Sequence, residues 1–208
     1  MKLTNETKLF IGIIIGTIIL VSIAAITLTK PAPALSRSNL ILPDSHTEGN
    51  PKAKVYLVEF SDFECPACGA AEPTVAAIVK QYKDKLLFVY RHFPLSQHPF
   101  AEKAAEAAEA ANAQGKFWEM HDALFAAQDK FSDTYFSTLA KQLNLDVTKF
   151  DADLNNGTYA NRVNEDITAG TQFGVDATPT FFLNGQKLDL TSFNDFQAAV
   201  AHAVSQTK

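Results

Sequence analysis

The residues of this 208-residue chain best suited to chemistry are its two cysteines, Cys65 and Cys68. A disulfide between thiols three positions apart closes a very short loop, so it restricts the unfolded chain little and adds little as a structural crosslink. A structural zinc site normally takes four ligands, and no second cysteine pair or close histidine pair is present to complete one. Gly69 follows Cys68 where covalent haem attachment requires histidine. The spacing therefore indicates a reactive pair of thiols.

The elements around the pair explain how it is activated. Residues 54–61 are β-branched and aromatic, as in a buried strand, and Pro66 suits the first turn of a helix. Unpaired N–H groups and the positive dipole end at a helix start favour an anion, and this placement lowers a cysteine pKa to about 3.5–7.5. Cys68, one turn later, can also donate its S–H. We therefore expect Cys65 to be the exposed nucleophile and Cys68 the buried resolving thiol.

The rest of the chain reads as an α/β domain. A second strand-like run at 86–91 completes a βαβ unit with parallel strands, and residues 99–170 are helical in pattern. A hairpin follows, with strands at 180–183 and 187–190 joined by Asn184-Gly185, which suits a type I′ turn. An amphipathic helix over 192–204, with Ser192 as N-cap, ends the pattern.

The N-terminal segment is apolar without interruption. Residues 9–28 carry no charge, and twenty residues at about 1.5 Å each span the roughly 30 Å core of a bilayer. We expect a membrane anchor over 1–29 bracketed by Lys8 and Lys30, a linker over 30–50, and the folded domain over 51–208. A cleaved signal peptide is the alternative, with cleavage near Ala24 or Ala34.

The charge balance excludes one class of partner. The chain has 18 basic and 23 acidic residues and a net charge of −5, so it lacks the basic surface that a nucleic-acid-binding protein needs.

Two motifs together resemble a known family. The segment Phe60-Ser-Asp-Phe-Glu-Cys-Pro-Ala-Cys-Gly69 after a strand, and Ala177-Thr-Pro-Thr180 before another, resemble the DsbA-like branch of the thioredoxin superfamily over about residues 51–205. The resemblance implies a thioredoxin fold, βαβ–ββα with a helical insertion, acting on thiols and disulfides of exported proteins without a cofactor or metal. It also implies a monomer and reoxidation by a quinone-linked membrane partner of the DsbB or VKOR kind.

The resemblance assigns further roles. It implies that Glu59, six residues before Cys65, lies buried behind the pair and transfers protons, although spacing alone leaves open which face it occupies. It implies a cis Thr178–Pro179 bond facing the cysteines, with the substrate docking there in an extended conformation. Strong oxidants of the family often carry histidine at the position of Ala67, where it adds positive charge near the thiolate. Because the Pro66-Ala67 dipeptide lacks this charge, we expect a weaker oxidant.

Other residues near these motifs receive plainer interpretations. Phe63 is expected to line a peptide-binding surface, and His46 to be solvated in the linker. His92 and His98 read as structural histidines. Glu119, His121 and Asp122 suggest a metal site, but alternating positions on one helix do not share a face.

The direction of electron flow stays open in the sequence. A reactive thiol pair beyond an apolar anchor fits an oxidase on the extracytoplasmic side of a membrane, where disulfides form. A reductase or isomerase with the same cysteines, and a non-catalytic peptide-binding or chaperone module on this fold, are the alternatives.

Overall fold

A computed structural model of the protein describes residues 4–28 and 33–207. Two compact units, Met1–Pro33 and Ala34–Lys208, make up the chain. The first contains helix α1 (Asn5–Leu28), with exposed apolar side chains such as Phe10 and Leu20. Lys30, predicted to flank the anchor, lies outside the described residues.

Among the residues that the structure describes, no helix combines the length and hydropathy needed to cross a membrane. The anchor stays a prediction.

The second unit is built on one mixed five-stranded sheet, in the order β1-β3-β2-β4-β5. The strands are β1 (His46–Gly49), β2 (Val55–Ser61), β3 (Leu86–His92), β4 (Thr180–Leu183) and β5 (Gln186–Lys187). The predicted βαβ unit is confirmed, because β2 and β3 pair in parallel, while the other neighbours are antiparallel. All seven residues of β2 and of β3 are buried, which is why both read as continuous apolar runs.

Helices cover both faces of this sheet. They are α2 (Arg37–Leu40), α3 (Pro66–Tyr82), α4 (Ala101–Asn112), α5 (Phe117–Phe125), α6 (Tyr135–Gln142), α7 (Val147–Asn155), α8 (Ala160–Gln172) and α9 (Phe193–Ser205), with a 3-10 turn at Gln128–Lys130. Helices α4 to α8 form the predicted helical insertion. One apolar core joins Val55 and Leu57 of β2 to α3, and a second lies under Val58 and Phe60 on the opposite face.

The prediction of a linker over 30–50 is wrong for most of the residues that the structure describes there. Strand β1 pairs antiparallel with β3 from His46 opposite Tyr90 to Gly49 opposite Leu87, and Leu40 is completely buried. The folded domain therefore begins well before residue 51. The sequence of β1 gives no hydrophobic alternation, because as an edge strand it buries only its first residue.

The C-terminal prediction is confirmed. Asn184 and Gly185 have φ angles of 50° and 87°, as a type I′ turn requires, and join β4 to β5. Ser192 caps α9 by accepting a hydrogen bond from the backbone N–H of Asp195. Strand β5 is shorter than predicted.

Candidate active site

Cys65 is the N-cap residue of α3. Its backbone is extended, with φ −74° and ψ 121°, and Pro66 opens the helix. Its carbonyl accepts the first helical hydrogen bond, from Gly69 N at 3.1 Å. The following backbone N–H groups have no helical partner of their own, so they face the region of the Cys65 side chain and favour negative charge there.

Both thiols are free, and both are less accessible than the sequence suggests. Cys68 is completely buried, and Cys65 is only 6% exposed rather than the open nucleophile predicted. Thr178, from a distant part of the chain, covers Cys65: the Sγ of Cys65 lies 3.5 Å from the carbonyl oxygen of Thr178. Pro66 and Ala67 are exposed beside them. Cys65 is thus the more accessible thiol of the two, at a small opening.

The two cysteines differ in proton affinity. The pKa of Cys65 is lowered to about 5, first by the hydrogen bond from the Cys68 thiol, with further hydrogen bonds from Thr178 and from the N–H groups of Cys68 and Ala67 outweighing burial. Burial, the bond to Cys65 and the nearby Glu59 raise the pKa of Cys68 far above its ordinary value. At neutral pH the pair is therefore one thiolate and one thiol.

The Thr178–Pro179 segment closes the other side of the site. Its peptide bond is cis, as the resemblance implied, and it leads into β4. Thr178 is buried, and its carbonyl faces Cys65. Pro179 is half-buried.

Glu59 lies on the cysteine side of the sheet. It shares its face of β2 with Val55 and Leu57, which belong to the same core as Cys68. Its side chain is 1% exposed, and its Oε2 has no hydrogen-bond partner in the described part of the chain. Burial raises its pKa to about 7, against a smaller opposing effect of Ser61. The side chain of Glu59 therefore faces the core that contains Cys68, and not solvent.

Phe63 does not lie on a surface, so that prediction is wrong. It is 1% exposed and stacks on Tyr90 with ring centroids 5.1 Å apart. It also contacts Phe125 and His121. The loop after β2 turns this ring into the core that separates the sheet from the helical insertion.

Gln128 is a site residue that the sequence did not indicate. From the 3-10 turn after α5, its side-chain amide donates to the carbonyl oxygens of Phe63 and Cys65, both at 2.9 Å. Gly69 allows this approach, since a Cβ there would lie 2.3 Å from Gln128 Oε1. A glutamine in a polar turn carries no local signal for such a contact.

A loop after β3 is also tied to the cysteine loop. Asp62 accepts hydrogen bonds from Glu64 N at 2.7 Å, from Leu95 N at 2.9 Å and from His98 Nδ1 at 2.6 Å. Burial lowers the pKa of His98, but the hydrogen bond and charge of Asp62 outweigh it and raise the pKa overall. The structural interpretation of His98 agrees with this geometry.

Two further groups of ionisable side chains lie near the sheet. In one, the buried Glu109 Oε1 lies 2.7 Å from His46 Nε2 and 3.1 Å from His92 Nε2. The prediction that His46 is solvated is therefore wrong, because this side chain joins β1 to α4. The other group joins Glu72 of α3 to His121 and Asp122 of α5.

Sequence comparisons place most of the chain in one family. The profile of a family described as Thioredoxin matches residues 42–202. A curated relative from Salinispora tropica, named Na(+)/H(+) antiporter NhaA 3, is 45% identical over 147 residues, covering 70% of this chain and 22% of that protein. The NhaA 1 of Mycolicibacterium vanbaalenii is 40% identical over 165 residues, covering 76% and 26%. The chain thus spans about a quarter of the length of these relatives.

Solved structures share the fold. BdbD from Bacillus subtilis superposes with a TM-score of 0.74 at 19% identity, over 85% of this chain and 100% of that one. Alpha-DsbA1 from Wolbachia pipientis gives 0.71 at 23% identity, over 80% and 94%. A thioredoxin-like oxidoreductase from Silicibacter pomeroyi gives 0.70 at 26% identity, over 83% and 100%.

Proposed function

We propose that this chain, which belongs to the thioredoxin family and shares its fold with BdbD and alpha-DsbA1, introduces disulfides into exported proteins as a DsbA-like enzyme. The substrates are protein dithiols, and the reacting atoms are the sulfurs of Cys65 and Cys68. The antiporter activity named in the curated relatives is not proposed here, because the chain spans only 22% of the first of them.

The observation that carries the oxidase direction is the lowered pKa of Cys65, about 5. A thiolate that is stable at neutral pH stabilises the reduced enzyme, so electrons flow toward it from substrate thiols. Against an unshifted cysteine of pKa 9.0, the gain at pH 7 is on the order of 3 kcal/mol, which corresponds to some tens of millivolts for a two-electron couple. This gain arises without histidine at position 67.

The reaction takes two exchanges. A substrate thiolate attacks Cys65 Sγ of the oxidised enzyme, forming a mixed disulfide and breaking the Cys65–Cys68 bond, whose electron pair leaves on Cys68. The second substrate thiolate then attacks the substrate sulfur of the mixed disulfide, and Cys65 leaves as a thiolate. The substrate becomes a disulfide, and the enzyme holds two electrons.

Glu59 and Thr178 support these steps. The departing Cys68 sulfur has a strongly raised pKa and takes up a proton, and the nearby carboxyl of Glu59, with a pKa of about 7, is placed to supply it. The Thr178 carbonyl beside Cys65, at 3.5 Å, fixes the side from which an extended substrate approaches.

The cellular setting is part of the proposal. We place the domain on the extracytoplasmic side of a membrane, held by the apolar segment over 9–28, with Lys2 and Lys8 on the inner side. Reoxidation then requires a membrane partner that passes electrons to quinone. What supports this is the compartment in which disulfides form.

The redox potential tests the direction. The full-length chain is equilibrated with glutathione buffers at pH 7, and the oxidised fraction is read from thiol alkylation. The expected midpoint lies above the glutathione couple, at more than about −200 mV. In parallel, the oxidised chain is expected to form disulfides in a reduced substrate, and the Cys65→Ser variant to form none.

Two results would contradict the proposal. A midpoint well below the glutathione couple supports the reductase alternative. Disulfide formation that persists in Cys65→Ser shows that Cys65 is not the nucleophile.

A further inference from the structure

A second polar site lies at a cavity lined mainly by residues of α3, α5 and β1. The cavity has a volume of about 300 Å³, and its polar lining includes Glu48, Glu72, His121 and Asp122. Lys80 and Lys83 also line it, but no ion pair joins either lysine to these carboxylates in the part of the chain that is described. Three acidic side chains thus surround one buried imidazole.

The imidazole has a defined orientation. His121 is 2% exposed, and its Nδ1 lies 2.9 Å from Asp122 Oδ1. A carboxylate accepts only, so Nδ1 carries the hydrogen and Nε2 presents its lone pair. A carboxylate that fixes the tautomer of a histidine in this way is the usual outer partner of a metal-binding imidazole.

The nearest polar atom to His121 Nε2 across the gap is a carboxyl oxygen of Glu72. His121 Nε2 and Glu72 Oε2 are 4.0 Å apart, and both are buried without a hydrogen-bond partner among the described residues. At 4.0 Å these two atoms are too far apart to form a hydrogen bond, and buried polar atoms are rarely left unpaired. The gap between them therefore fits either a metal ion, which accepts electron pairs, or a water molecule, which donates hydrogens.

We propose that this gap binds a divalent transition-metal ion of the zinc class, with His121 Nε2 and Glu72 Oε2 as ligands and Asp122 as the orienting residue. Imidazole and carboxylate suit zinc, at about 2.0–2.1 Å from each atom. Tetrahedral geometry puts the two ligand atoms about 3.4 Å apart, so Glu72, whose side chain is 17% exposed, needs to move by roughly half an ångström. Glu48 and water remain as further ligands from the cavity.

The sequence predicted no metal because Glu119, His121 and Asp122 do not share one face of a helix. That reasoning considers a single helix and leaves out ligands from other elements. Glu119 and Asp122 are not the ligands that accompany His121. The second ligand is Glu72 of α3, 49 positions earlier in the chain. The cluster of His46, His92 and Glu109 is a weaker candidate. There the carboxylate already lies within hydrogen-bond distance of both imidazoles and 3.9 Å from the Arg162 guanidinium.

Direct binding tests this proposal. Zn²⁺ is titrated calorimetrically into the full-length chain in its oxidised state, because the disulfide removes the Cys65 and Cys68 thiolates as competing ligands. One saturable site per chain is expected, with Co²⁺ giving a visible spectrum that has no thiolate charge-transfer band. Neither readout depends on redox activity, so it is independent of the proposed function.

Variants assign the ligands. Glu72→Gln keeps the shape of the side chain and is expected to abolish saturable binding, as is His121→Gln. Asp122→Asn is expected to weaken binding by about 10–100-fold, the usual effect of losing an outer partner. Glu119→Gln on the same helix is the matched control and leaves binding unchanged. If the oxidised chain shows no saturable site, or if Glu72→Gln binds as tightly as the parent, the gap holds water and the proposal is wrong.

Discussion

Glu59 is a carboxyl group whose burial has a measurable thermodynamic consequence. It is 1% exposed and carries an unpartnered oxygen, so its charged form is poorly stabilised in the folded chain. A raised pKa means that the folded state binds this proton more tightly than the unfolded state. The corresponding stability is complete below pH 4.5 and is lost as the pH rises to about 7.

We predict that Glu59→Gln removes this pH dependence. Relative to the parent chain, the variant gains about 3 kcal/mol of unfolding free energy between pH 4.5 and 7, as an upper value for a shift to about 7. Urea denaturation of both chains at several pH values gives the difference curve. Glu119→Gln removes an exposed carboxylate whose pKa is lowered by a hydrogen bond from Lys116, so as the control it gives a difference of the opposite sign. A flat curve for Glu59→Gln would rule out a raised pKa at this position.

Residues with local signals were predictable. Cys65, Cys68, Pro66 and the cis Thr178–Pro179 bond are marked by motif and by position at strand ends, and the structure brings them together. Phe63 and His46 were placed wrongly because the direction of a side chain depends on what packs over it. In both cases that partner is the helical insertion, far along the chain.

At the scale of elements, the helical insertion supports the cysteine loop. Its 3-10 turn supplies Gln128, which bonds two loop carbonyls, and its core ring Phe125 covers Phe63. The loop is held from the opposite side by Thr178. The insertion is therefore part of the site and not only a lid over the sheet.

We predict that Gln128→Ala loosens this loop and raises the pKa of Cys65. Losing two hydrogen bonds to backbone carbonyls costs about 1–3 kcal/mol, and Cys65 then moves relative to the N–H groups of α3. Ultraviolet thiolate absorbance against pH reports the pKa, and glutathione equilibration reports a lower, less oxidising potential. Gln142→Ala, an exposed glutamine on α6, is the matched control. An unchanged pKa in Gln128→Ala would show that its contacts serve stability alone.

Strand order was predictable from the sequence only where strands are apolar. Val55–Ser61 and Leu86–His92 are buried on both faces and stand out, whereas the edge strand His46–Gly49 is mostly exposed and reads as loop. The pairing of β1 with β3 depends on the backbone and on His46, neither of which leaves a periodic pattern.

For the whole molecule, the domain boundary is the feature with the clearest test. We predict that a chain beginning at Ala34 keeps the thermal midpoint and potential of the full domain, whereas a chain beginning at Pro51 loses β1 and Leu40. Loss of one buried leucine and the β1 ladder costs at least about 3 kcal/mol, and each kcal/mol lowers the midpoint by about 2–4 °C.

Both truncated chains lack α1, so their difference isolates residues 34–50. Scanning calorimetry of the two measures it. Equal midpoints would restore the linker interpretation of this segment.

The contact between Cys65 and Thr178 joins residues 113 positions apart. During synthesis the cysteine loop emerges first, and β4 pairs with β2 only after the whole helical insertion has been synthesised. Until then Cys65 lacks the Thr178 contribution to its low pKa, while the larger contribution of the Cys68 thiol, which lies on the same helix, is already present. The full acidity of Cys65 is therefore reached only when β4, which follows Thr178 in the chain, completes the sheet.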